Sequence, residues 1–221
     1  MMYKVVEHFI SINGEGKRAG ELALFIRFKG CNLTCSYCDT MWANREHTKF
    51  TFMNKEEIHN LIKESKVKNV TLTGGEPLLQ DNMYELLEFI SQDKSVNIEI
   101  ETNGSVDIGT FSKLDNPPSF TLDYKLPSSN MEDLMYTNNY NYLKNSDVVK
   151  FVAGTKSDLD RAKEIIKKYD LTNKCHVYLS PSFEEITPAQ IVEYMKENRL
   201  NDVKLQLQMH KFIWDPEERG V

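Results

Sequence analysis

Short apolar runs and amphipathic stretches alternate along the chain. The first clear run is Leu22 to Phe28, Leu-Ala-Leu-Phe-Ile-Arg-Phe, closed by Gly30, and it predicts a largely buried strand. A polar connector over 44–52 leads to a helical pattern over 54–65. There Asn54 stands at the N-cap, Glu56 and Glu57 fall in the first turn, and Ile58, Leu61 and Ile62 share one face. A strand over 69–73 stops at Gly74-Gly75-Glu76-Pro77. A helix over 81–92 follows, with Leu86, Leu87 and Ile90 inward, then a strand over 97–102 that ends in Thr102-Asn103-Gly104. Pro117-Pro118 breaks the chain ahead of a strand over 120–124.

The stretch 126–145 is rich in Asn and Tyr and carries at best a weak helical signal. Beyond it come a strand over 147–152 and a helix over 157–169, with Ser157 as N-cap and Leu159, Ala162, Ile165 and Ile166 as its stripe. A strand over 176–179 precedes a helix over 187–198, where Thr187 caps and Pro188 takes the first position. A strand over 203–208 ends the series. Ahead of Leu22, the segment from Phe9 reads only as leading into a turn at Asn13-Gly14-Glu15-Gly16.

Strands alternating with helices predict βα units on a parallel sheet. A closed eight-unit barrel takes about 250 residues. Six units and a seventh strand in 221 residues are too few to close, so the expected fold is α/β, a partial, open (β/α)6-type barrel in one domain over 1–221. Functional residues then belong on loops at the carboxyl ends of the strands.

Composition narrows the setting. Apolar residues at 40% and charged residues at 27% suit a soluble globular protein. There is no apolar run of about 18 residues to span a membrane, and Met1 to His8 lacks the pattern of a signal peptide. Three of the four cysteines are clustered, which argues against a disulfide framework and for a reducing, cytoplasmic interior. Net charge is −6, and Lys163, Lys167 and Lys168 share their helix with Asp160 and Glu164. That is a solvated, paired face rather than a phosphate-binding patch, so no nucleic-acid partner is expected and a small-molecule substrate is.

The chemistry concentrates in Cys31-Asn32-Leu33-Thr34-Cys35-Ser36-Tyr37-Cys38-Asp39-Thr40. Three thiols spaced x3 then x2 can converge on one metal centre from one loop, the alternatives being a zinc site or three unrelated cysteines. A closed iron–sulfur or zinc site takes four protein ligands, and the remaining cysteine, Cys175, is far away at a strand start. Three local ligands leave one metal position open, the mark of a catalytic site. A Cys3His zinc site would need His8 or His47 to fold back. The Asn32-Leu33-Thr34 sequon is read as accidental, since such a loop belongs in a reducing interior. Arg27, inside an apolar strand four residues before Cys31, needs a partner, an anionic ligand, or a path to solvent.

C-x3-C-x2-C with an aromatic before its last cysteine resembles the cluster loop of the radical S-adenosylmethionine (SAM) enzymes, and Thr73-Gly74-Gly75-Glu76-Pro77 resembles their second signature. Within them, Ser11-Ile12-Asn13-Gly14-Glu15-Gly16, Phe25 to Leu33, Cys38-Asp39-Thr40 and Gln208-Met209-His210-Lys211 resemble the 7-carboxy-7-deazaguanine synthase family over essentially the whole chain. The resemblance implies a radical SAM barrel, a [4Fe-4S] cluster on Cys31, Cys35 and Cys38 with SAM on the fourth iron, and Mg2+. It implies conversion of 6-carboxy-5,6,7,8-tetrahydropterin to 7-carboxy-7-deazaguanine and ammonia, in queuosine and 7-deazapurine biosynthesis, through a 5'-deoxyadenosyl radical.

Carried over residue by residue, the resemblance implies that Ile12, Asn13, Gly14, Arg27, Thr73 and His210 meet the substrate, Arg27 pairing with its carboxylate. The family often has glutamine where Asn13 stands. Tyr37, Cys38, Asp39 and Gly75 would contact SAM, as would Asp123, Lys125, Ser128 and Ser180 through its ribose or carboxylate, and Thr40 would ligate Mg2+. An electron donor such as flavodoxin or ferredoxin and a homodimer are implied likewise. Two rivals share the cysteine motif: a glycyl-radical-enzyme activase that acts on a partner protein, and an iron–sulfur electron carrier whose cluster Cys175 would close.

Overall fold

Val, Leu and Ile alternate with polar residues in most of the strands, and that alternation sets the architecture, because successive side chains of a strand point to opposite faces. The structure is a computed structural model that describes residues 1–216 and 218–221. Its strands are β1 (Tyr3–Ile12), β2 (Leu22–Phe28), β3 (Thr51–Met53), β4 (Asn69–Gly74), β5 (Asn97–Thr102), β6 (Ser119–Tyr124), β7 (Val148–Ala153), β8 (His176–Pro181) and β9 (Val203–Leu205). They form one sheet in the order β3-β1-β2-β4-β5-β6-β7-β8-β9. From β2 to β9 every pairing is parallel, as the alternating pattern predicts. The sheet curls and does not close: an open barrel.

Helices α1 (Lys55–Ser65), α2 (Met83–Ile90), α3 (Lys156–Tyr169) and α4 (Pro188–Asn198) cover the outer face. α1 starts where its sequence signals place it, with Asn54 and Glu57 exchanging backbone and side-chain hydrogen bonds at 2.7 and 2.8 Å. Its Ile58 and Ile62 pack with Ile26, Leu72 and Leu86 in a core of fully buried side chains, each worth about 1.5–3 kcal/mol on burial. A second core joins β7, β8, α3 and α4 through Phe151, Leu159, Ile165, Leu179 and Ile191.

Several expectations need correction. The N-cap of α3 is Thr155, not Ser157: Thr155 and Asp158 form a reciprocal capping box that starts two residues earlier. α2 is shorter than 81–92, because Asn82 sits in the left-handed region at φ 60° immediately before it. The 126–145 stretch forms no α-helix. Its short 3-10 turns are held by Asn139, whose Nδ2 donates to the carbonyls of Gly104 and Val106 while Oδ1 accepts from the Ile108 N–H.

The sheet is also not purely parallel. β1 pairs antiparallel with β2, and β3 antiparallel with β1, so an unpredicted ribbon extends one edge. The loop 13–21 between β1 and β2 turns into the gap that an open barrel leaves. There Gly16 N–H donates to Gln206 Oε1 at 2.8 Å, Gln206 Nε2 donates to the Gly16 carbonyl at 3.0 Å, and Met209 N–H donates to the Gly14 carbonyl at 3.1 Å. β9 stops at Leu205 rather than continuing to 208; the Gln206 N–H still donates to the Leu179 carbonyl at 2.9 Å while its side chain holds the loop.

Candidate active site

The parallel register lines up the inward positions. Arg27 pairs with Thr73 across β2 and β4, Glu101 with Thr121 across β5 and β6, and Asp123 with Lys150 across β6 and β7. All six line one cavity of about 320 Å3. Onto it open the loops at the carboxyl ends of β2, β4, β5 and β6.

Cys31, Cys35 and Cys38 line this cavity. Burial raises the thiols of Cys35 and Cys38 above the ordinary cysteine range, opposed by the nearby Lys125 ammonium. Among the described residues no three Cys, His, Asp or Glu side chains close on a single ion, the arrangement a mononuclear zinc site needs. A cubane cluster instead takes its three thiolates on three different irons. Cys175 sits in the second core, 8% exposed, with Sγ against the Leu171 carbonyl at 3.5 Å. It is not at the cavity, so a four-cysteine carrier site is not formed.

Gly75 lies under the cluster loop. A Cβ there would strike the Gly30 carbonyl and the Asn44 side chain, so only glycine lets the end of β4 pass this close. Its N–H donates to the Phe28 carbonyl at 3.2 Å. The Tyr37 hydroxyl and Asn44 Oδ1 are buried beside the cavity with no hydrogen-bond partner, the signature of polar groups arranged for a bound molecule. Three thiols, a glycine-lined wall and orphaned polar atoms fit a cluster and SAM.

Also lining the cavity, Arg27 donates through Nε to Glu7 Oε1 at 2.8 Å. Glu7 stands directly across from Arg27 in the β1–β2 register, beside an irregularity between Val5 and Glu7. Arg27 thus has the partner its setting demanded. His210 opens the short helix α5 (His210–Ile213), and its ring packs on Gly14, where a Cβ would lie 2.6 Å from Nδ1. Burial pulls His210 below the usual histidine range, so it is neutral at pH 7. Thr40 Oγ donates to Asp39 Oδ1 at 2.8 Å at the cavity edge. Residues 218–221 border the mouth, with the Arg219 guanidinium 4.3 Å from the Trp42 ring centroid; Glu217 lies outside the described residues.

The floor is a charge network. Lys125 Nζ donates to Asp123 Oδ2 at 2.8 Å, and Lys150 Nζ reaches Asp123 Oδ1 at 3.3 Å and Glu15 Oε2 at 3.0 Å. Burial alone would raise Asp123, but the two ammoniums hold it below the usual aspartate range. Glu101 has no such direct pair: burial pushes it up to about 7 against the pull of Lys150, with the Thr73 hydroxyl donating to it. Three carboxylates, Glu15, Asp123 and Glu101, therefore face two ammoniums.

A carboxyl raised in the folded state holds its proton more tightly than in the unfolded chain. Its stabilising effect is complete below about 4.5 and is lost as pH rises towards 7. Glu101→Gln is accordingly expected to raise Tm at pH 8 by on the order of 2–4 °C and to change it little at pH 5. Equal shifts at both pH values in thermal melts would count against this charge balance.

Of the residues singled out from the sequence, Ile12, Gly14, Arg27, Tyr37, Cys38, Asp39, Thr40, Thr73, Gly75, Asp123, Lys125 and His210 meet at the cavity with Cys31 and Cys35. Three stand apart. Asn13 is buried, its Oδ1 accepting from the Thr71 hydroxyl at 2.9 Å. Ser180 is buried with its hydroxyl on Glu15 at 3.2 Å. Ser128 takes the Ser36 hydroxyl on its carbonyl and gives its N–H to Asp158. Sequence reading missed Glu7, Glu15, Glu101, Asn103 and Lys150. The signal was present: Glu101 and Lys150 interrupt apolar strands as Arg27 does, and such positions face the barrel interior.

The chain matches the model of the radical SAM superfamily over residues 25–170. It is 56% identical over 221 residues, the whole of both chains, to a 7-carboxy-7-deazaguanine synthase of Clostridium acetobutylicum. It is 39% identical over 215 residues to one of Methanospirillum hungatei, covering 96% of this chain and 86% of that one. The crystal structure of QueE from Escherichia coli superposes with a TM-score of 0.76 over 95% of each chain at 22% identity, a likeness of fold. With the cysteine loop, the glycine wall and the polar floor gathered at one mouth of an open barrel, the chain belongs to the 7-carboxy-7-deazaguanine synthase family of the radical SAM superfamily.

Proposed function

We propose that the protein converts 6-carboxy-5,6,7,8-tetrahydropterin to 7-carboxy-7-deazaguanine and ammonia, as a radical SAM carbon–nitrogen lyase of queuosine and 7-deazapurine biosynthesis. The observation that carries this is the meeting, in one cavity, of the three-cysteine loop with the Arg27 guanidinium and His210. When bound, the cluster and SAM supply one-electron cleavage of SAM and exchange of a hydrogen atom with the substrate.

The chain's own residues bind and orient. Cys31, Cys35 and Cys38 would hold the cluster; Tyr37, Asp39, Gly75, Asp123 and Lys125 would border SAM. Arg27, its Nε anchored by Glu7, has its remaining N–H groups for the substrate carboxylate, a charge-assisted bond suited to guanidinium. Neutral His210, Ile12, Gly14 and Thr73 complete the substrate wall. Asn13, Ser128 and Ser180 would act from behind, through Thr71, Asp158 and Glu15. Holding the reacting carbon in place is where such a site contributes most.

A glycyl-radical-enzyme activase acts on a partner enzyme; the full-length likeness to 7-carboxy-7-deazaguanine synthases and a cavity of about 320 Å3 lined by Arg27 favour a small substrate instead. Resemblance to the family also supports Mg2+ at Thr40, a flavodoxin or ferredoxin as electron donor, a homodimer and a cytoplasmic location. Among the described residues no helix is long and apolar enough to cross a membrane.

Anaerobic incubation of the reconstituted protein with 6-carboxytetrahydropterin, SAM and Mg2+, read by product mass, tests the reaction; absence of the deazapurine from iron-loaded protein rejects it. Thr40→Ala is expected to flatten the Mg2+ dependence of turnover, since a hydroxyl is a fitting ligand for this hard cation. A full Mg2+ response in that variant would remove the assignment.

A further inference from the structure

Three side chains close a ring at the end of β5. Asn103 Nδ2 donates to Asn32 Oδ1 at 3.0 Å, Asn32 Nδ2 donates to Ser105 Oγ at 2.8 Å, and Ser105 Oγ donates to Asn103 Oδ1 at 2.7 Å. The backbone N–H of Ser105 donates to the same Asn103 Oδ1 at 2.9 Å. A backbone N–H is a donor only, so it settles which end of the Asn103 amide is oxygen. The nitrogen end therefore faces the cluster loop, and it lies 3.5 Å from Cys31 Sγ. One amide hydrogen serves the ring and the other serves the sulfur.

The placement is rigid. Asn103 is 7% exposed, and its backbone N–H donates to Glu76 Oε2 at 2.6 Å. Glu76 is fully buried and also accepts from the Thr102 hydroxyl and the Leu78 N–H, so the glutamate of Gly-Gly-Glu-Pro clamps the end of β5. A second donor, the Leu33 N–H, reaches Cys31 Sγ at 3.4 Å. Asn32, the residue of the accidental sequon, has its amide committed to this ring.

We propose that Asn103, locked by Asn32 and Ser105, is an outer-sphere hydrogen-bond donor to Cys31 that raises the reduction potential of the cluster bound there. The inference rests on Cys31 being a cluster ligand. Reduction adds one electron, part of whose charge falls on the thiolate sulfurs. An N–H aimed at a sulfur therefore stabilises the reduced form more than the oxidised one, and the potential rises. Asn103 is here a positioning and tuning residue, not one that touches substrate.

The test is an EPR-monitored potentiometric titration of anaerobically reconstituted protein, without SAM or substrate, with iron and sulfide measured in every sample. Asn103→Ala is expected to lower the midpoint. At the potential that half-reduces the wild-type cluster, its reduced-to-oxidised ratio should fall about tenfold, ~59 mV for one electron. Ser105→Ala keeps the amide but opens the ring, and should shift the midpoint the same way by less. A wild-type midpoint in iron-replete Asn103→Ala overturns the proposal. If that variant does not hold iron, Ser105→Ala decides: a downward shift supports the proposal and an unmoved midpoint overturns it. Failure of the cluster assignment itself would look different, as wild-type protein with no cluster signal at all.

Discussion

Arg27→Ala is expected to raise the KM for the pterin by about a hundredfold or more while SAM cleavage in the absence of product formation continues. Truncating one partner of a buried, hydrogen-bonded charge pair costs 2–5 kcal/mol, and each 1.4 kcal/mol is a factor of ten. The cluster loop is built on Gly30, Asn103 and Ser129 rather than on Arg27, so the half-reaction on SAM should survive. Counting 5'-deoxyadenosine against deazapurine separates the two effects. An unchanged KM would dismiss the pairing with the substrate carboxylate.

Glu7 refines this experiment. If it orients Arg27 through Nε, Glu7→Ala should raise KM roughly tenfold, the effect of losing a hydrogen bond to a charged group, with kcat nearly kept. Glu7→Gln, whose carbonyl still accepts, should restore most of it. In an Arg27→Ala background Glu7→Ala should add nothing, because the residue it orients is gone. An additive double mutant would mean that Glu7 acts by another route.

Lys150→Met should have the largest effect on stability, a loss of about 3–5 kcal/mol at pH 7–8, or roughly 10 °C in Tm for a chain of this size. Lys150 is 8% exposed, and its ammonium is shared by Glu15 and Asp123, with Glu101 close by. Without it, three carboxylates face Lys125 alone. The sign of the pH dependence follows. Asp123 is depressed in the folded protein, so its contribution is present above the unfolded value and shrinks when the depression does; Glu101, already near 7, is driven higher and penalises folding most above pH 7. The deficit should therefore narrow as pH falls towards 5. A loss of Tm independent of pH would mark Lys150 as a packing residue, and failure of Glu101→Gln to recover stability in the Lys150→Met background would say the same.

Much of this was legible in the residues. The cysteine spacing needs no tertiary context, since three thiols in one loop are neighbours by connectivity. Asn54 with Glu57 and Thr187 with Gln190 are local caps and place α1 and α4 to the residue. The parallel order and the position of each motif at a carboxyl strand end follow from the alternation of apolar strand and amphipathic helix. Local signals failed where competing local signals existed: Ser157 with Asp160 is as acceptable a cap as Thr155 with Asp158, but the fold uses the earlier pair and commits Asp160 to the Tyr194 hydroxyl. They also failed at β1, whose value as a strand depends on β2 and β3 lying alongside it.

Covalent order and periodicity, which act over a few residues, decided the three-cysteine loop, the starts of α1 and α4 and the open-barrel class. What required the folded chain was every pairing between distant segments. Glu7 reaches Arg27 only through the antiparallel register of β1 and β2. Glu15 reaches Lys150 only because the loop 13–21 enters the barrel gap, and Asn103 meets Cys31 only because Glu76 clamps β5 beside the cluster loop. These contacts span separations from 20 to 135 residues. A local pattern cannot encode them, because burying a charge or aiming an amide is settled by what the rest of the fold brings within a hydrogen bond's length.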